Sequence, residues 1–155
     1  MTEIDFALKQ KKDTDIIEFV GTIVWNKLNE FKKLENLSFS EQNFIYVDIF
    51  EGEINHDGFY GFFYNTSGEF SHEILEAFST INANENATII YKALRIFPEL
   101  PVPKDIIIRR QIMGKLKKSD LEKWSNLELD LLNSGEDILG LMIDYIKQNK
   151  ASFKY

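Results

Sequence analysis

Apolar residues recur through most of this chain at intervals of three and four, the spacing that places them on one side of an α-helix. The first stripe is Ile16, Val20, Ile23, Val24, Leu28 and Phe31, widened by Ile17 and Trp25. With Asp13 or Thr14 as a cap, it predicts a helix to about Leu34. Lys27, Lys32 and Lys33 lie toward its C-terminal end, where cations suit the helix dipole. Ser38-Phe39-Ser40-Glu41 has the spacing of a capping box, in which the Ser and Glu side chains satisfy each other's free backbone N–H groups. A helix through Phe44, Ile45, Val47, Ile49 and Phe50 follows, stopping near Gly52.

Asn55-His56-Asp57-Gly58 reads as a turn, since Asn, Asp and Gly tolerate turn conformations. Phe59, Phe62 and Phe63 predict a short helix from Gly58 to Asn65, broken by Thr66-Ser67-Gly68. The next helix runs from about Phe70 to Ile81 with Ile74, Leu75 and Phe78 inward. Asn84 caps another, ending at Phe97, with Ala87, Ile90, Leu94 and Phe97 on one side. Pro98, Pro101 and Pro103 force an extended connection. Lys104 to Leu116 reads as helix, although Ile106-Ile107-Ile108 alone also suits a strand. Ser119-Asp120-Leu121-Glu122 is a second capping-box spacing, before a helix with Trp124, Leu127, Leu131 and Leu132 inward that ends at Asn133-Ser134-Gly135. The last helix spans Glu136 to Asn149, with Ile138, Leu141, Met142, Tyr145 and Ile146, and Phe153 and Tyr155 dock back. Residues 1–12 read as a flexible arm. The pattern therefore predicts an all-α fold: one compact bundle of six to eight helices over residues 13–155.

Composition adds little until charge is mapped along the chain. A length of 155 residues suits one domain that needs no covalent staples. The absence of Cys excludes disulfides and thiolate metal sites and fits a reducing compartment. The polar N-terminus lacks the apolar core of a secretory signal, and no apolar run approaches a membrane span, so a cytoplasmic protein is expected. The net charge is −7, but residues 34–91 carry ten carboxylates and no Lys or Arg, while the flanking segments balance or are basic. Such a span repels nucleic acid and steers basic partners. Its ordinary explanation is a solubilising surface.

Conventional chemistry is thinly represented. His56-Asp57 with Glu53, or His72-Glu73 with Glu76, offers metal-ligand types, but His-Glu-x-x-Glu lacks the second His of the protease motif. That leaves a metal-dependent enzyme as the least favoured reading; no cofactor, metal or catalytic residue is assigned. No nucleophile elbow and no phosphate-cradling loop occurs. Lys115, Lys117, Lys118 and Lys123 cluster beside a capping box, as solvated helix ends often do, and direct nucleic-acid binding is not expected.

The densest stretch is Glu53 to Gly68, with five aromatic residues and three glycines. Its Glu53-Ile54, Gly58-Phe59, Phe62-Phe63, Asn65 and Gly68 resemble the signature of the DNA-mimic-protein (Neisseria type) family, which reads Glu-Val-x-Asn-Gly-Gly-Phe-x-Gln-Phe-Phe-x-Asn. Ala77, Ile81-Asn82-Ala83, Ala87, Ala93, Phe97 and the acidic C-terminal helices extend the likeness over about residues 38–153. The chain departs at His56 (family Asn), Asp57 (first Gly), Gly61 (Gln) and Asn82 (a common Gly). Agreement thus falls on packing positions and departure on polar ones, which marks Glu53, Gly58, Phe59, Phe62, Phe63, Asn65 and Gly68 as a structural motif. The resemblance implies a helical fold, a homodimer and an acidic, DNA-like surface offered to a transcription regulator. Glu41, Asp48, Glu51, Glu69, Glu73, Glu76 and Glu85 are the candidate partner-binding carboxylates. An immunity protein that neutralises a basic toxin is the alternative, since acidic surfaces speed capture of basic partners. In either case the partner is a basic protein.

Overall fold

A computed structural model describes residues 1–153 of the chain. Eight α-helices, and no strand, occur among them: α1 Glu3–Leu8, α2 Asp13–Phe31, α3 Phe39–Tyr64, α4 Ser71–Thr80, α5 Asn84–Leu94, α6 Ile106–Met113, α7 Lys118–Leu132 and α8 Ile138–Gln148. The all-α fold and the number of helices agree with the apolar spacing. No described helix is long and apolar enough to cross a membrane. The chain divides into two compact units, one formed by Met1–Ile45 with the chain from Asp137 onward, the other by Tyr46–Glu136.

The first unit contains α1, α2, the beginning of α3, and α8. The expected N-terminal arm is instead a helix. Thr2 and Asp5 form a capping box, Ile4 and Ala7 are fully buried, and α1 packs on α2. Two apolar residues three apart were enough once Phe6 met Phe19 edge-on at 6.0 Å. Lys12, not Asp13 or Thr14, is the cap residue of α2, and Asp13 and Asp15 lie in its first turn. The helix closes at Lys32, which takes a left-handed conformation. Along α8, Met142, Ile143 and Ile146 are buried, and Phe153 is buried after it; Tyr155 lies outside the described residues.

The Ser38 capping box forms as expected: Ser38 N–H donates to Glu41 at 2.9 Å and Glu41 N–H donates to the Ser38 hydroxyl at 3.2 Å. Glu41 does more. Only 1% exposed, it accepts two hydrogen bonds from Lys27 Nζ, at 3.0 and 2.9 Å. Lys27 is therefore not a solvated residue complementing the helix dipole. It is the buried counter-ion of Glu41.

The second unit contains the remainder of α3 with α4 to α7. The helix does not stop at Gly52, which is exposed and touches nothing that would exclude a side chain. It continues to a single break at Gly58, so the predicted four-residue turn contracts to one residue. Helix α4 ends in a Schellman closure: Ala83 N–H reaches Phe78 C=O at 2.9 Å, and Asn82 N–H reaches Ser79 C=O at 3.0 Å. Asn82 has φ 66°, a left-handed conformation that asparagine tolerates better than most residues. Asn84 is the first residue of α5 and not its cap. The Glu136 carboxylate serves instead, accepting from Glu85 N–H at 2.9 Å and Asn86 N–H at 2.6 Å. Ile106-Ile107-Ile108 is helical because Asp105 caps α6 through Ile107 and Ile108 N–H. Helix α7 begins one residue before Ser119, and Asp120 accepts from Lys117 N–H at 3.0 Å. Leu132, expected inward, is exposed at its end.

The Lys27–Glu41 pair provides a first test. Removing one member of a buried pair strands the other charge, at about 3–5 kcal/mol. Lys27→Met should lower stability by that order, and Lys27→Met/Glu41→Leu should recover part of the loss. Urea denaturation of both variants checks this, and equal losses in the two would refute it.

Candidate functional site

The stretch Glu53–Gly68 is organised by the break in α3. Gly58 has φ 64° and ψ −167°, outside the range that side chains readily allow. The chain re-enters helix at Phe59, whose N–H donates to the Glu128 carboxylate at 2.7 Å. A Cβ on Gly58 would overlap that carboxylate, so glycine is required by both dihedral and space. At the far end of this short helix, Arg109 collects carbonyls: Nε donates to Phe63 C=O at 2.5 Å and Nη2 to Asn65 C=O at 2.7 Å. Its Nη1 donates to Pro103 and Lys104 C=O at 3.1 and 3.0 Å. Gly68 leaves room for this guanidinium, since a Cβ there would overlap Arg109 Nε and Phe63 C=O. An acid thus caps the N-terminus and a base the C-terminus, each matching the helix dipole.

Arg109 is fully buried. Burial lowers its pKa, while Glu69 and Asp105 act in the opposite sense. A guanidinium starts far enough above neutrality to remain charged. Its hydrogen bonds therefore solve the problem of a buried cation. Between the two charged caps, Phe59, Phe62 and Phe63 are fully buried. Phe50 meets Phe62 edge-on at 5.3 Å and Phe78 at 5.2 Å. Phe63 stacks on Trp124 at 5.0 Å, and Trp124 Nε1 donates to Ala93 C=O at 3.0 Å. Asn65 Nδ2 donates to Glu53 at 3.3 Å and lies 3.5 Å from Asp57.

Asp57 and Gly61 share one close contact. A Cβ on Gly61 would overlap the Cβ of Asp57. In this chain the Asp57 side chain occupies the space that a side chain at position 61 would need. The contact belongs to packing around the break.

The candidate carboxylates fall into distinct settings. Glu41 is withdrawn from any acidic face by its burial against Lys27. Glu73 is half-buried and ion-paired with Lys104 at 2.6 Å, so a base from outside the acidic span compensates it. Asp48 and Glu51 are both half-buried on α3; burial, and then the charge of Asp48, raise the Glu51 pKa. Glu69, Glu76 and Glu85 are exposed, and none forms an ion pair among the described residues. His56 is exposed, whereas His72 accepts at Nε2 from Val102 N–H at 2.8 Å. No three His, Asp or Glu side chains converge as a metal-binding group among the described residues.

Arg109, Glu128, Glu136 and Lys104 hold this region together and were not singled out by the sequence pattern. Two of them carry a signal in retrospect. Arg109 is four residues before buried Met113 in α6, and Glu128 is four after buried Trp124 in α7. Each charged group therefore lies on the inward stripe of its helix. Glu136 and Lys104 lie between helices and have no such pattern.

These elements define an all-helical protein with an acidic segment built around a charge-capped aromatic turn. A family model described as DMP19-like protein matches residues 35–149, and the chain belongs to that family. It is the family that the Glu53–Gly68 motif resembles. Comparison with curated proteins and with solved structures gave no match.

Two measurements test the site. Gly61→Gln alone should destabilise by about 1–3 kcal/mol through overpacking, and Asp57→Gly should relieve it in the double variant. A thermodynamic cycle with no coupling would sever the two positions. Glu51 tests the electrostatics. With its pKa raised on folding, the charged carboxylate opposes folding above the folded pKa, and this cost vanishes below the unfolded value. Glu51→Gln should therefore raise the melting temperature at neutral pH, with the gain shrinking as pH falls. A gain that persists undiminished in acid would contradict this origin.

Proposed function

We propose that this chain is a non-catalytic binding protein that presents carboxylates to a basic, DNA-binding protein in the way a duplex presents phosphates. Support comes chiefly from Glu69, Glu76 and Glu85, which are exposed and have no ion-pair partner among the described residues. Membership of the DMP19-like family is consistent with it, because the motif resemblance implies a DNA-like surface. Asp48 and Glu51 add partly exposed charge on α3. Carboxylates three or four residues apart on a helix stand roughly 5–6 Å apart at Cβ, against about one charge per 1.7 Å of duplex axis. Several helices are therefore needed to approach the density of DNA, and a homodimer would double the array. The working site is the cytoplasm, where a transcription regulator is met.

Affinity capture from the native cell lysate at low salt, with elution by duplex DNA, tests the reading. The expected result is a basic protein released by DNA and lost from a Glu69→Gln/Glu76→Gln/Glu85→Gln variant. A captured basic protein that DNA does not displace would favour a toxin-neutralising role. Capture of no basic protein would remove the basis for both.

A further inference from the structure

Helices α4 and α5 are joined by a tight connection and pack on each other, leaving a groove of about 490 Å³. His72, Leu75 and Glu76 line one side, and Ala87, Thr88 and Tyr91 the other. We propose that this groove is the seat of a long cationic side chain, lysine or arginine, from the basic partner. The assignment rests on the acidic binding role proposed above and locates its contact point.

The chemistry of the lining selects the occupant. Glu76 is the one carboxylate in it, is exposed, and forms no ion pair among the described residues. His72 Nε2 already accepts from Val102 N–H, so that nitrogen carries no proton to offer an anion. The N-terminus of α5, which would otherwise attract an anion, is occupied: the Glu136 carboxylate takes Glu85 N–H and Asn86 N–H. Thr88 spends its hydroxyl proton on Asn84 C=O at 2.9 Å. Ser79, Asn84 and the Tyr91 hydroxyl add uncharged polar groups to the lining, which leaves Glu76 as the carboxylate that sets its sign.

Shape points the same way. Leu75 and Ala87 supply an apolar wall for a methylene stem, and Glu76 supplies charge for its head. Polarity falls along the groove. Arg95 donates to the Tyr91 hydroxyl at 3.1 Å and holds its guanidinium 5.8 Å from the Tyr91 ring, so positive charge lies beyond Tyr91 and negative charge at Glu76. The head of an incoming side chain is therefore drawn toward Glu76 and away from Arg95.

The test is a titration of the isotope-labelled chain with acetyl-Gly-Arg-Gly-amide and acetyl-Gly-Lys-Gly-amide, followed by backbone amide shifts. The norleucine and glutamate peptides serve as controls. Both cationic peptides should move the amides of Glu76, Thr88 and Tyr91, with norleucine weaker and glutamate silent. Glu76→Gln should weaken the response about threefold, the size of a solvent-exposed charge contact. Glu69→Gln and Glu85→Gln, which remove equal charge outside the groove, should leave it nearly unchanged. Equal losses in the three variants, or shifts spread over the acidic surface, would overturn the groove. So would shifts from the glutamate peptide. The lysate capture separates this from the wider reading. A DNA-displaceable partner held equally by wild type and Glu76→Gln refutes the groove alone. Peptide binding at the groove without a captured basic protein refutes the wider reading alone.

Discussion

The second unit depends on one constraint: a helix that must break at Gly58 and restart at once. Restarting exposes new amide donors, and stopping again at Tyr64 exposes carbonyls, both beside buried aromatic rings. Neither set can be left without partners in such surroundings. Glu128 from α7 accepts from Phe59 N–H, and Arg109 and Arg110 from α6 donate to the Phe63, Asn65 and Tyr64 carbonyls. These charges tie α6 and α7 to the turn, and the Phe63–Trp124 stack fills the space between. The glycines follow from the charges: Gly58 yields to Glu128 and Gly68 to Arg109. A motif that looks in sequence like a site is therefore a pair of capped ends wrapped in phenylalanine.

Periodicity made the helical class and most elements legible, because burial of one face is written directly into residue spacing. The Glu53–Gly68 motif likewise marked Phe59, Phe62 and Phe63, which are fully buried. What the spacing missed was supplied from a distance. Nothing near Asn84 announces that Glu136 caps α5, fifty residues away along the chain. The helix over residues 3–8 was missed because six residues are too few for a periodic pattern. Gly52 misled because glycine costs only about 1 kcal/mol within a helix, a cost that tertiary burial overrides.

Charge was the least legible property, and its correction bears on function. Counting acids along residues 34–91 treats every carboxylate as displayed. Lys27 removes Glu41 from the surface, and Lys104 ties down Glu73. Both bases come from outside the acidic span, so a linear count could not anticipate either. Glu128 and Glu136 belong to the chain's more basic C-terminal part, yet both are spent on amide donors of helices in the acidic part.

Carboxylates in this protein thus divide by duty. Those that neutralise a buried lysine or cap a helix have fixed partners, and exchanging them for a ligand would strand a buried charge or open a helix end. Only those without such a duty can be offered to a partner at low cost. Glu76 and Glu85 meet that condition, Glu69 meets it apart from its electrostatic support of Arg109, and all three lie on or beside the α4–α5 hairpin. Lys27 and Lys104 hold their elements in place through Glu41 and Glu73, and Arg109 through backbone carbonyls with Glu69 favouring its charge, so most of the internal use of cations leaves the exposed carboxylates unspent.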